Sequence, residues 1–270
     1  MSAPAAQPEN RRIVVTLSAT LCHRAPLATA VRLAGTLGAR VEGVFIEDIN
    51  LIQLAGLPFL REFSAWSLAE ATVDSQRMER QLRAMARQTR TLLEEEARKL
   101  DVPCTFQVWR GRTGAEALTE AFATDILSLG CLSALASGRL WARAGTRPPL
   151  RGTDITGIGV LAGLSEAAAR ALATAARLAG GLGASLTVFL PESGTDRVLR
   201  LEERVRALLG TPGVPARLVP LGGADIQRLI QAAQASGSSL LIAEAGHELL
   251  RLGGLERLQE ALDQPVLLVR

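Results

Sequence analysis

Two thiols and an imidazole are the residues of this chain best suited to chemistry. Cys22 and His23 are adjacent, and Gly130 and Cys131 follow one another much later. A histidine beside a thiol can lower its pKa and make it a nucleophile. Ser18, Cys22, His23, Gly130 and Cys131 therefore form a candidate cleft, provided that the fold brings their segments together. The competing reading of the same residues is ordinary small side chains in loops. Three cysteines without paired spacing argue against a disulfide framework, and Cys104 takes no part in the cleft. His23 and His247 are the two histidines and stand in no metal-ligand spacing, so no metal is expected. Neither a GxGxxG turn nor a Walker glycine-lysine loop is present. Glu94-Glu95-Glu96 reads as a solvated helix face rather than as an acid/base pair. With no residue assigned to catalysis, the expectation is that the protein is not an enzyme.

Arginine carries nearly all of the positive charge. The 270 residues include 30 Lys and Arg against 27 Asp and Glu, a net charge of +3, and Lys99 is the one lysine. Guanidinium groups suit phosphate or carboxylate recognition, although codon bias explains the same composition. Arg139, Arg143, Arg147 and Arg151 are spaced by four, but Gly145, Pro148 and Pro149 interrupt any helix there. No aromatic stacking platform accompanies them, so no nucleic-acid partner is expected. No run of about 18 uncharged apolar residues is present, so no membrane partner is expected either. The polar, Pro/Ala-rich start lacks the apolar core of a signal peptide, which reads as cytoplasmic.

The elements that must position the cleft are laid out by a repeat. Residues 28–39 read ATAVRLAGTLGA and residues 173–184 read ATAARLAGGLGA, identical at ten of twelve positions. Each copy reads as strand, Ala/Leu helix ending at Gly38 or Gly183, and strand. Continuous apolar runs alternating with helices indicate parallel sheets covered on both faces. The expected fold class is α/β, two tandem doubly wound domains with mainly parallel sheets. The first domain spans 1–142, a linker 143–154 and the second domain 155–270. Strands are expected at 12–17, 41–46, 104–109, 125–130, 158–162, 185–190, 216–220, 240–244 and 265–269. A single helix is expected over 249–262 despite Gly253-Gly254. In such sheets ligands bind outside the carboxyl ends of strands, where strand order reverses. If the first and fourth strands are neighbours at that point, the segments after them lie side by side.

The first copy is about 31 residues longer than the second, in residues 47–66 and in a longer helix after Asp74. The extra segment concentrates Leu54, Phe59, Phe63 and Trp66, and the helix repeats Met78, Leu82, Met85, Thr89, Leu92 and Leu93 as one stripe. Leu54, Phe59, Phe63, Trp66, Met78, Leu82 and Met85 are therefore the expected surface for a protein partner or self-association. A short helix and turn packed on its own domain is the plainer reading.

The small-residue helix ATAxRLAGxLGA after the first strand, the tandem βαβ order and the terminal QPVLLV strand resemble the universal stress protein family. The resemblance spans nearly the whole chain, least at 47–66 and 131–154. It implies a doubly wound fold, a stress-response role and ATP binding. Its nucleotide-binding members carry an acidic residue after the first strand and a Gly-x2-Gly-x9-Gly-Ser/Thr loop after the fourth. This sequence departs from both patterns. Leu17-Ser18-Ala19-Thr20 and Ala162-Gly163-Leu164-Ser165 hold no carboxylate. After Gly130 the later glycine positions hold Ser133 and Arg143, and after Gly246 they hold Leu249 and Gln259. The expectation is a binding or regulatory module without the usual ATP cofactor. Two alternatives stand beside it, a sensor of adenine nucleotide or another small anion through altered loops, and a thiol-based redox protein.

Overall fold

The computed structural model describes residues 11–18, 24–55, 61–63, 70–72, 75–111, 126–129, 155–210, 214–251, 253–262 and 264–270. The expected linker 143–154 lies outside these residues.

The first repeat builds β1 (Arg12–Ser18), α1 (Arg24–Leu37) and β2 (Arg40–Asp48). Leu27, Val31, Leu33, Ala34 and Leu37 of α1 are all buried, as the 3.6-residue period requires. The second repeat builds β7 (Gly157–Leu161), α4 (Glu166–Leu182) and β8 (Ser185–Leu190). Ser165 caps α4 by accepting from the Ala168 amide, and Gly183 closes it with φ 64°, a left-handed conformation that glycine adopts without a Cβ penalty. Both units are parallel-sheet α/β structures with helices interleaved between strands.

Downstream of the repeat the copies diverge. In the first unit β2 leads into α2 (Ile49–Ala55), then β3 (Arg61–Phe63) and β4 (Glu70–Thr72), an antiparallel pair, then α3 (Ser75–Lys99), β5 (Cys104–Gly111) and β6 (Ile126–Leu129). In the second unit, α5 (Thr195–Leu209), β9 (Ala216–Pro220), α6 (Ile226–Ser236) and β10 (Leu240–Glu244) follow. The single helix expected over 249–262 is two elements. A 3-10 turn (Glu248–Leu250) is separated from α7 (Gly254–Ala261) by Gly253, whose φ of 83° no continuing helix contains. The closing strand is β11 (Val266–Val269).

One sheet of nine strands runs through both units in the order β5-β2-β1-β6-β11-β10-β7-β8-β9. All pairings are parallel except one. β11 lies parallel to β10 on one side and antiparallel to β6 on the other, with Leu267 opposite Ser128 and Leu268 opposite Leu127. β11 therefore occupies the position beside β6 as well as its place in the second unit. Strands β7, β8, β10 and β11 are almost wholly buried, as expected for strands covered on both faces. One face carries an apolar core shared by α1, α3, α4 and α5. The other face gathers Val14, Val44 and Ile46 of the first unit with Phe189, Leu241 and Leu268 of the second.

The helix stripe of α3 differs from the expected one. Its buried residues are Leu82, Ala86, Thr89, Leu93, Glu96 and Ala97, whereas Met85 is 36% and Leu100 52% exposed. Ala86 rather than Met85 faces inward, and Thr89 satisfies its hydroxyl on the Met85 carbonyl at 2.8 Å. Leu82, expected on a docking surface, is 1% exposed and belongs to the protein's own core.

The two copies of the repeat touch each other. Arg177 on α4 donates to the Leu37 carbonyl at the end of α1, at 3.1 Å. The two positions at which the repeats differ include Thr36 and Gly181, and a Cβ added at Gly181 would lie 2.5 Å from the Thr36 Cγ2. Divergence at this one pair lets two otherwise matching helices close on each other. In an ordinary helix interior, Gly→Ala gains about 1 kcal/mol. Gly181→Ala is expected to lose that gain while Thr36 is present and to recover it in a Thr36→Ala background. Chemical denaturation of the four proteins of this cycle measures the coupling; additive effects would mean that the helices do not meet there.

Candidate functional site

The carboxyl edge of the sheet in the second unit, where β7 and β10 are neighbours, holds a cleft of about 690 Å³. Ser165 and Arg170 from the start of α4, Glu244 and Gly246 from the end of β10, and Arg251 after the 3-10 turn line it. Leu250, Leu255 and Val269 supply its apolar wall. This is the strand-order reversal at which doubly wound sheets bind ligands. The second unit lacks a carboxylate after its first strand, yet one stands there in space. Glu244 comes from β10, 79 residues away, and its carboxylate accepts a hydrogen bond from the Ser165 hydroxyl. Ser165 Oγ accepts in turn from the Ala168 amide at 2.9 Å, so the hydroxyl is engaged on both sides.

His247, 5% exposed, accepts from the Leu249 amide on Nδ1 at 3.2 Å. Nδ1 is thus taken up by main chain, and the Ser165 hydroxyl is directed to Glu244 rather than to the imidazole. Burial lowers its pKa below the ordinary 6.5, opposed by the charges of Glu244 and Glu248. The folded state therefore holds neutral imidazole where the unfolded chain takes up a proton. Stability is full above pH 6.5 and declines as pH falls below it toward the lowered folded value. His247→Gln is expected to flatten that part of the stability profile. Urea midpoints between pH 7.5 and 5 check this, and an unchanged slope in the variant would contradict it.

The sequence signal for this site was faint. Ser165 was legible as a helix cap and Glu244 as a strand end, but their meeting depends on the pairing of β7 with β10. Arg251 donates to the Gly246 carbonyl at 3.2 Å and Arg170 to a main-chain carboxylate oxygen of Arg270 at 2.7 Å, and both arginines line the cleft.

In the first unit, β1 and β6 are paired neighbours, with Thr16 opposite Leu129. Ser18 ends β1, so the segments after β1 and β6 leave the same edge of the sheet. Cys22, His23, Gly130 and Cys131 lie outside the described residues. Cys104 starts the outermost strand, two strands from β1, where burial and the nearby Glu94 raise its thiol above the usual pKa. Of the docking residues, Leu54 is 48% exposed on α2, which packs against α3, while Met78 is half-buried on α3. Phe63 closes β3, opposite Glu70 of β4; Phe59 and Trp66 lie outside the described residues. At the carboxyl end of β2, Glu47 accepts from Arg110 Nε and Nη2 at 3.1 and 3.0 Å. Asp48 Oδ1 accepts from the Asn50 amide and starts α2. These two buried carboxylates anchor the beginning of the extra segment. Among the described residues no group of His, Cys, Asp and Glu is arranged to hold a metal ion, and no helix is long and apolar enough to cross a membrane.

No protein-family model matches the sequence, and no curated protein matches it. Solved structures do. A universal stress protein of Archaeoglobus fulgidus superposes with a TM-score of 0.57 at 10% identity, covering 95% of this chain and 96% of that one. A putative universal stress protein of Pseudomonas aeruginosa covers 97% of this chain and 94% of its own at 14% identity, with a TM-score of 0.44. A universal stress protein in complex with cAMP covers 43% of this chain and 98% of its own at 18% identity, with a TM-score of 0.36. The first of these, matched over almost the full length of both chains, establishes the fold as two universal-stress-protein-like units in tandem.

Proposed function

We propose that this chain, built on the tandem universal stress protein fold, is a non-enzymatic regulatory or stress-response binding module. In this reading it does not take ATP through the phosphate loop of nucleotide-binding universal stress proteins. The observation that carries the reading is the packing after β10. The positions where the loop would need glycine hold Leu249, 8% exposed, and Gln259, 4% exposed, and Leu249 belongs to the core. Backbone amides close around phosphate only where side chains leave them accessible. The Leu249 amide is instead directed to His247. A helix N-terminus is the other anion-binding feature of such folds, but at α4 Ser165 caps an amide and Glu244 brings a negative charge.

The module acts on a protein partner or on a second copy, in the cytoplasm. Leu54 and Met85, exposed on two helices that pack together, belong to the surface assigned to that contact. Mass spectrometry of small molecules released from the purified chain is expected to find no adenine nucleotide. Near-stoichiometric ATP or ADP would overturn the reading. A second reading, a sensor of a small anion through altered loops, is favoured by the two arginines that line the 690 Å³ cleft.

A further inference from the structure

The cleft at the carboxyl edge of the second unit holds two opposite charges that do not meet. Glu244 and Arg251 both line it, yet among the described residues neither forms an ion pair with a side chain. Arginines elsewhere do pair, such as Arg12 with Glu42 and Arg206 with Glu202. Arg170, on the same wall, is already engaged by a main-chain oxygen of Arg270 at 2.7 Å. Glu244 and Arg251 are therefore the charges of the cleft left for a ligand, one of each sign.

Each charge is held in place by uncharged neighbours. The Ser165 hydroxyl donates to Glu244 Oε2, and Ser165 is itself fixed as the cap of α4. Arg251 donates through Nε to the Gly246 carbonyl at 3.2 Å, and among the described residues its terminal nitrogens have no partner. A carboxylate accepts at both oxygens and a guanidinium donates from five N–H groups, so each keeps most of its capacity. Gly163 keeps one flank of the carboxylate clear. A Cβ added there would lie 3.6 Å from Glu244 Oε1, the oxygen that Ser165 does not use, and 3.0 Å from the Ala168 Cβ. Leu250, Leu255 and Val269 add an apolar wall to the same cleft.

We propose, resting on the reading of the chain as a binding module without ATP, that this cleft binds an aliphatic zwitterion, an α-amino acid or a short peptide. Its ammonium group meets Glu244, its carboxylate meets Arg251, and its side chain lies on Leu250, Leu255 and Val269. Both polar contacts are charge-assisted, the stronger class of hydrogen bond. A phosphate ligand would bring its charge against Glu244 at the start of α4, whereas a zwitterion is complementary to both groups. The volume of about 690 Å³ lies within the range of small-molecule sites.

The test is calorimetric titration of the full chain with L-leucine and with L-leucyl-L-leucine, the melting temperature being followed in parallel. Two analogues accompany them: 4-methylpentanoate, which lacks the ammonium group, and 3-methylbutylamine, which lacks the carboxylate. The expected result is saturable binding of at least one zwitterion, a raised melting temperature, and binding of each analogue weaker by roughly tenfold or more. Glu244→Gln is expected to weaken the zwitterion and to remove its advantage over 4-methylpentanoate. Arg251→Gln is expected to remove its advantage over 3-methylbutylamine instead. That crossed pattern separates ligand contact from a loosened loop, which would weaken all four compounds alike. Absence of saturable binding of both zwitterions at millimolar concentration would overturn the proposal, as would equal binding of leucine and 4-methylpentanoate to the unaltered chain. Micromolar Mg-ATP binding that leucine does not displace would count against the preceding functional reading and leave a measured zwitterion site standing.

Discussion

Leu267→Ala is expected to lower the stability of the whole chain by about 2–5 kcal/mol, the usual cost of removing a fully buried leucine. Leu267 is 0% exposed at the centre of β11, between β10 of its own unit and β6 of the other. Its side chain belongs to the core that α1, α3, α4 and α5 share, so the cavity left behind borders both units. For a chain of this size the melting temperature is expected to fall by roughly 5–20 °C. The form of the change matters as much as its size. A strand common to both units couples them, and differential scanning calorimetry is expected to give one transition before and after the substitution. Two separate transitions, with only the second unit shifted, would mean that β11 does not join the sheets.

The second large effect concerns the loop after β10. Leu249→Gly restores the glycine that the phosphate-loop pattern would place three residues after Gly246. Leu249 packs with Leu250, Leu255 and Leu258 against the second face of the sheet. The substitution is expected to cost about 2–5 kcal/mol for the lost side chain, with further loss from backbone freedom. It is expected to confer no ATP binding, because Glu244 and Ser165 still occupy the helix end. Urea denaturation reads the first expectation. A stability change within a few tenths of a kcal/mol would show that Leu249 lies in an open loop rather than in the core.

Much of this fold was legible locally. The apolar runs of β8, β9 and β10 coincide with the expected strands, and Ser165 and Gly183 bound α4 through their capping chemistry. Elements fail to show in the sequence where their placement depends on distant partners. Val266-Leu267-Leu268-Val269 reads the same whether it ends a sheet or bridges two, since its pairing with Leu129 to Ile126 is set by contact across the chain. On α3, Met85 and Ala86 lie on adjoining parts of the same apolar stripe, and the larger side chain drew the reading although the smaller one fits the interior. Gly253 splits a helical pattern because its backbone turns left-handed, which composition alone does not require. The candidate cleft shows the same limit. The approach of Glu244 to Ser165 joins a strand end and a helix cap that share no motif.

Isothermal titration of the full chain with Mg-ATP tests most directly whether the phosphate loop has been given over to packing. With Leu249 and Gln259 buried and Glu244 at the end of α4, the expected result is no heat of saturable binding at micromolar nucleotide. Micromolar binding that is lost in Arg251→Gln would contradict it, because the edge cleft would then hold the nucleotide despite those side chains.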